Sequence, residues 1–199
     1  MKRIARHGAY CNSYLLIEGE ECLLIDPGFN RGHLLEKDVE ETGKKLVGIL
    51  ITHGHFDHFA GLKNWDGIDR IALFMPAEDI KNLNDAHRNV SLSFLGEALE
   101  LDLNPYPLEE EDEIRVGNFY FQVIFTPFHT EGSSCFYFPE EGILFSGDTL
   151  FQAGIGRYDL PGSDPTKIVA SLEKLKKLPA ETIVYPGHGE KTRIGDELN

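Results

Sequence analysis

The apolar positions of this chain fall into short runs broken by glycine, proline and acidic residues. That pattern predicts strands joined by tight turns, with a few helices between them. Residues 13–17 and 22–25 are two such runs; they flank Glu18-Gly19-Glu20-Glu21 and read as a hairpin closed by Pro27-Gly28. Across 33–42, Leu34, Leu35 and Val39 recur at roughly helical spacing, and Gly43 stands where a C-terminal cap belongs. Residues 46–52 form a β-branched run that predicts a buried strand delivering the chain into His53, and 60–64 then predict a short helix. From Pro76 to Glu113 the periodicity is weakest. There 77–84 reads as a helix, 91–103 as a helix or an irregular excursion, and the acidic run 109–113 as a solvated turn.

Strand character resumes at 114–116, 119–126, 134–138 and 143–145, the last two joined by Pro139-Glu140-Glu141-Gly142. Asp164-Pro165 opens a helix whose Ile168, Leu172, Leu175 and Leu178 make one apolar stripe. Residues 181–185 are the last strand and Pro186-Gly187-His188-Gly189 the last turn. Both halves run from strands through a helix to a strand ending at a polar cluster, which suits two similar layers back to back. The 199 residues are enough for one well-packed domain spanning 1–199.

Composition narrows the partners. The chain is 41% hydrophobic and 26% charged, an ordinary globular mix, but its 33 acids against 19 bases give a formal charge of -14. Such a field repels nucleic acid and anionic membranes, so neither is an expected partner. A small anionic substrate stays open, because bound metal can reverse the field locally. Cys11, Cys22 and Cys135 have no CxxC spacing and predict buried, inert thiols in a reducing compartment. Met1-Lys2-Arg3 begins like a leader, yet Ala5-Arg6-His7-Gly8 follows where an apolar run would be needed, and runs such as 47–51 are too short to span a bilayer. A cytoplasmic location is expected. His7, His33 and His87 are expected at the surface.

Chemistry concentrates in loops after predicted strands, which hold His53, His55, His58, His129 and His188 together with Asp57 and Asp148. Three histidines and an aspartate within His53-Gly54-His55-Phe56-Asp57-His58 make no sense as core and are wasteful as surface. In an extended turn, residues alternate in direction, so His53 and His55 would face one metal while Asp57 and His58 reach another. Imidazole and carboxylate donors without thiolate suit zinc first, with iron or manganese as alternatives. Seven donors exceed the needs of one four-coordinate ion; two divalent metal ions roughly 3.5–4 Å apart are the economical solution. Asp148, in Ser146-Gly147-Asp148, is the natural bridge because a carboxylate has two oxygens to share.

These motifs resemble the metallo-β-lactamase-fold hydrolases, and among them the small glyoxalase II-like (hydroxyacylglutathione hydrolase-like) proteins. The resemblance spans nearly the whole chain through Leu24-Ile25-Asp26-Pro27-Gly28, the 52–58 segment, Thr126-Pro127-Phe128-His129-Thr130, 146–150, Gly156-Arg157-Tyr158-Asp159-Leu160-Pro161 and Tyr185-Pro186-Gly187-His188-Gly189. It implies an α/β fold, a four-layer αββα sandwich with two mixed sheets flanked by helices and metals at one edge. It further implies that His53, His55 and His129 hold one metal, that Asp57, His58 and His188 hold the other, and that Asp148 bridges. Asp26 matches an aspartate that orients the histidine loop through hydrogen bonds. The implied reaction is hydrolysis of a thioester such as S-lactoylglutathione, with Asp57 and Asp148 acting through metal-bound hydroxide. The alternatives are a mononuclear-iron persulfide dioxygenase, a lactonase or other ester hydrolase of the same fold, and a non-enzymatic metal-stabilised binding module. Phe128 stands where the family usually has glycine, Glu131 where proline is common, and Pro161-Gly162-Ser163-Asp164 replaces a double-glycine version. Phe128, Glu131, Arg157 and Tyr158 are therefore the candidate pocket residues. Eleven residues follow His188, in place of the helical region that helps hold glutathione in glyoxalase II proper.

Overall fold

The computed structural model describes residues 11–28 and 33–198 in full and the backbone of Lys2–His7. Six strands form a first sheet: β1 (Lys2–His7), β2 (Asn12–Glu18), β3 (Glu21–Ile25), β4 (Lys45–Leu50), β5 (Leu73–Pro76) and β6 (Tyr106–Leu108), hydrogen-bonded in that order. β1, β2 and β3 are antiparallel, whereas β3, β4, β5 and β6 run parallel. The second sheet is built from β7 (Glu113–Val116), β8 (Phe119–Phe125), β9 (Ser134–Phe138), β10 (Ile143–Gly147), β13 (Ile183–Pro186) and β14 (Thr192–Arg193). It is antiparallel except where β10 and β13 pair in parallel. Between them in sequence, β11 (Leu150–Phe151) and β12 (Gly154–Ile155) make a separate small ribbon.

The period of two along each strand sorts its side chains into layers. Leu16, Leu23 and Ile25 of the first sheet meet Phe121, Phe136, Phe138 and Phe145 of the second in the central core. Their neighbours Leu15, Cys22 and Leu24 point the other way, onto α1 (Leu34–Thr42) through Leu35 and onto Phe59, Leu62 and Trp65. On the far face of the second sheet, Cys135, Leu144 and Val184 pack under Leu175 of α4 (Ile168–Leu175), with Leu172 and Leu178 beside it. Strands covered on both faces, such as β9 and β10, carry continuous buried runs, whereas β8, next to the edge of its sheet, alternates. The result is the expected mixed α/β sandwich, two mixed sheets flanked by helices.

The hairpin, the Gly43 cap and the second-half strands lie where the apolar runs place them; Gly43 adopts φ 65°, the left-handed turn that ends α1. Two expectations are refined, and one left open is decided. The helix expected over 60–64 starts earlier, as α2 (Phe56–Phe59), and continues only as a 3-10 turn at Ala60–Leu62. Ala77–Asn84 is a 3-10 rather than an α-helix, and 91–103 gives only α3 (Ser91–Leu95) before becoming irregular. The acidic run 109–113 is a turn leading into β7, and Glu109, Glu110 and Glu111 are exposed. A last short helix, α5 (Ile194–Glu197), closes the described chain. Of the other histidines, His33 and His87 are exposed, while the side chain of His7 lies outside the described residues.

Candidate metal centre

Strand direction brings the candidate ligands together. β3 and β4 are parallel, so Asp26 and the Thr52-His53 loop leave the same edge of the first sheet. β8 and β10 are each antiparallel to β9, and β13 is parallel to β10; hence His129, Asp148 and His188 all follow strand ends at one edge of the second sheet. The extended-turn expectation for 53–58 holds only as far as His55, which is extended at φ -83°, ψ 144°. Asp57 and His58 lie instead in the first turn of α2, so a helical turn, not strand alternation, sets their direction.

Donor atoms of His53, His55 and His129 gather within 4.8 Å of one another, as do those of His53, His58 and Asp148 and those of Asp57, His58 and His188. Asp148 lies between the groups. Its Oδ1 is 3.4 Å from His58 Nε2, and its Oδ2 is 3.4 Å from both His129 Nε2 and His188 Nε2. His188 Nε2 is also 3.3 Å from Asp57 Oδ2. These separations are long for charge-assisted hydrogen bonds, which run about 2.7–2.9 Å. They match the roughly 3.4 Å between two donors that each sit about 2.0–2.1 Å from one tetrahedral ion. Moreover, Nε2 of His53, His55, His58 and His129 and Oδ1 of Asp148 are buried without a hydrogen-bond partner. Each such orphan costs about 1–3 kcal/mol, so five converging on one place fit a cation-binding centre far better than a packed interior.

The opposite ring nitrogens are fixed. His129 Nδ1 donates to the Arg157 carbonyl at 2.7 Å, and His53 Nδ1 lies 3.2 Å from the Thr52 hydroxyl. Thr52 in turn donates its amide and its hydroxyl to Asp26 at 2.8 Å each. Asp26 Oδ2 also lies 3.0 Å from His58 Nδ1, a close contact off the hydrogen-bonding line. Asp26 therefore braces the histidine loop from behind, and it does so from a left-handed backbone (φ 48°) that an aspartate adopts only at a cost. The turn carrying His188 is held by Asn12, whose side-chain amide donates to the Pro186 and Gly189 carbonyls, and by the Tyr14 hydroxyl, 2.6 Å from the Pro186 carbonyl.

Protonation differs across the centre. Burial drives His53 well below the usual imidazole range and His55 down to about 3. Burial would do the same to His58, but Cys11, Asp26 and Asp148 oppose it and hold its pKa well above normal. The Cys11 thiol is itself pushed above the thiol range by burial and is neutral at pH 7, so the carboxylates carry that effect. For His188 the cost of burial is outweighed by the neighbouring carboxylates of Asp148 and Asp57, which lift it to about 9. Asp148 is held well below the carboxylate range, burial being overcome by His58 and His188. All three cysteines are buried and free, as expected of inert thiols.

A cavity of about 510 Å³ opens onto this centre, with Phe56, Val90, Phe94, Phe151, Ile155 and Leu160 as its apolar wall. Of the four expected pocket residues, only Arg157 lines it. Its guanidinium is shared with Asp159 through two 2.9 Å bonds. Phe128 does not reach the cavity: its side chain is fully buried, while its carbonyl accepts from the Asp164 amide. Glu131 is turned away and neutralised by Lys81 and Arg88. Tyr158 is exposed outside the cavity wall. Sequence reasoning missed the apolar wall, which is assembled from α2, α3, the β11–β12 ribbon and the loop residues Val90 and Leu160, and it missed Asn12 and Tyr14. It also missed Asp79, a fully buried carboxylate that nothing local distinguishes from an ordinary first-turn acid.

Comparison with known proteins agrees with this geometry. The family described as the metallo-beta-lactamase superfamily matches residues 8–188. A probable metallo-hydrolase of Bacillus subtilis, YqgX, is 36% identical over 190 residues, covering 92% of this chain and 87% of its own. Among solved structures, the BLEG-1 B3 metallo-beta-lactamase superposes with a TM-score of 0.91 at 33% identity, over 98% of this chain and 95% of its own. TTHA1623, solved in a di-iron-bound form, gives a TM-score of 0.83 at 37% identity, over 98% and 96%. The chain belongs to the metallo-β-lactamase superfamily.

Proposed function

We propose that the chain is a metal-dependent hydrolase that holds two divalent cations and cleaves carboxylic thioesters of the S-lactoylglutathione type. The observation that carries this reading is the spacing around Asp148, whose two oxygens stand 3.4 Å from His58, His129 and His188 beside imidazole nitrogens that have no partner in the protein. In this reading His53, His55 and His129 hold one cation, Asp57, His58 and His188 the other, and Asp148 both. The donor set favours zinc; the di-iron form of TTHA1623 makes iron the next metal to try.

Cations held there would lower the pKa of a coordinated water to about 7 and polarise a substrate carbonyl. The chain's own part is to aim and to exclude. Asp26, through Thr52 and His58, and the Arg157 carbonyl, through His129, keep the ring nitrogens pointed inward. The apolar wall shields one side of the cavity from water and gives an acyl group a surface to lie on. Arg157 stands at this cavity, where an anionic substrate group would compete with Asp159 for its guanidinium. None of the buried cysteines serves as a nucleophile. The expected partner is thus a small thioester or ester, and among the described residues no helix is long and apolar enough to cross a membrane.

The test is turnover of S-lactoylglutathione, read as released thiol, by protein loaded separately with zinc, iron and manganese. Hydrolysis with at least one metal is expected. Failure on thioesters, lactones and phosphoesters alike, with oxygen uptake on glutathione persulfide instead, would replace the hydrolase by a dioxygenase.

A further inference from the structure

Asp79 sits in the 3-10 segment Ala77–Asn84 that follows β5, and its side chain is fully buried. Its Oδ2 accepts hydrogen bonds from the Gly54 amide at 2.7 Å and from the Thr130 hydroxyl at 2.6 Å. Its Oδ1 accepts one from the Gly132 amide at 2.8 Å. Gly54 lies between His53 and His55, and Thr130 follows His129. One carboxylate is thus bonded to both loops that supply the three-histidine group, although those loops leave different sheets.

The arrangement is closed on every side. The Thr130 hydroxyl donates to Asp79 and lies 2.7 Å from Ser133 Oγ, which accepts the Thr130 amide at 2.9 Å. A Cβ on Gly132 would come within 2.8 Å of the Asp79 carboxyl carbon, so the loop approaches as closely as a backbone can. Among the described residues, the hydrogen-bond partners of Asp79 are two amides and one hydroxyl, with no cation. A buried carboxylate with three donors aimed at it is a rigid joint, and what it joins is His129 to His53 and His55. Asp26 has the corresponding place on the other side, bonded to Thr52 and close to His58.

We propose that Asp79 is a positioning residue that fixes His129 relative to His53 and His55 and so sets the affinity of the three-histidine site selectively. This rests on the ligand sets proposed above. Asp79→Asn keeps the shape of the side chain but turns one acceptor oxygen into an amino group facing donors. In a zinc titration of the full chain against a chromophoric chelator, Asp79→Asn is expected to weaken the three-histidine site by about 10–100-fold and leave the other within about threefold. His188→Ala, which removes a donor of the other group, identifies which constant belongs to which site. Thr130→Val, which deletes one of the three bonds without changing shape, is expected to weaken the same site less, and Thr130→Ser to restore it.

Equal weakening of both sites, or no change in either, would overturn the role, and a lowered melting temperature of the metal-free protein alone would reduce Asp79 to a structural residue. Should Asp79→Asn fail to fold, Thr130→Val decides by the same criterion. Wild-type protein that takes up fewer than two zinc ions contradicts the ligand sets themselves. Wild-type protein with two, beside an unselective Asp79→Asn, contradicts only the role of Asp79.

Discussion

His53 and His55 are buried among other imidazoles, whereas His58 and His188 face carboxylates, and this difference sets how each group competes with protons. The first two are pulled below the usual range, so at neutral pH a cation arriving there has no proton to displace. The second two are raised, His188 to about 9, so in the metal-free chain they carry protons that a cation must expel. With His53 and His55 holding no proton to displace near neutrality, zinc affinity at the three-histidine site should rise less steeply with pH than affinity at the other, which climbs up to about pH 9 and levels off above it. Chelator competition across a pH series measures both slopes; equal slopes would contradict the division into two groups. The seven donors were legible in the sequence because metal chemistry restricts which residue types can serve. Phe128, Glu131 and Tyr158 were not, because their roles depend on direction and on distant partners. Glu131 is claimed by Lys81 and Arg88, 50 and 43 residues away in sequence.

Among the elements, the long apolar strands were readable because burial on both faces leaves an unbroken run, as in β9 and β10. β5 and β6 were not, being only four and three residues long, with Pro76 and Pro107 inside them. β1 was hidden by Lys2, Arg3 and Arg6 in an edge strand, where charged residues are common. The junction between β13 and His188 is tightly specified. A Cβ at Gly187 would stand 2.3 Å from Asp148 Oδ1 and 2.6 Å from His58 Cε1. Gly187→Ala should therefore displace Asp148, lowering metal content and turnover together, for an overpacking cost of about 1–3 kcal/mol in stability. Leu175→Ala is the contrasting case. That side chain is fully buried under the second sheet, so its loss should cost about 2–5 kcal/mol by denaturant unfolding while metal stoichiometry stays unchanged. If the two variants behaved alike, the separation of centre from scaffold would be wrong.

For the molecule as a whole, two sheets packed face to face present their strand ends at one edge, and seven donors from both halves of the chain meet there. The formal charge of -14 surrounds that edge with a field hostile to anions. Added salt should consequently raise kcat/KM for an anionic thioester such as S-lactoylglutathione and leave a neutral thioester nearly unaffected; a fall for the anionic substrate would mean that local cations, not the overall field, govern its approach. The layered architecture was foreseeable from the strand pattern and the motif resemblance together, since neither the crossover order nor the convergence of His58, His129 and His188 on Asp148 can be read from periodicity alone. The most direct measurement is native mass spectrometry of the metal-loaded chain beside Asp148→Ala. The expected result is two divalent ions per wild-type chain and a marked loss from the variant; one iron per chain, unchanged by Asp148→Ala, would contradict the two-metal centre.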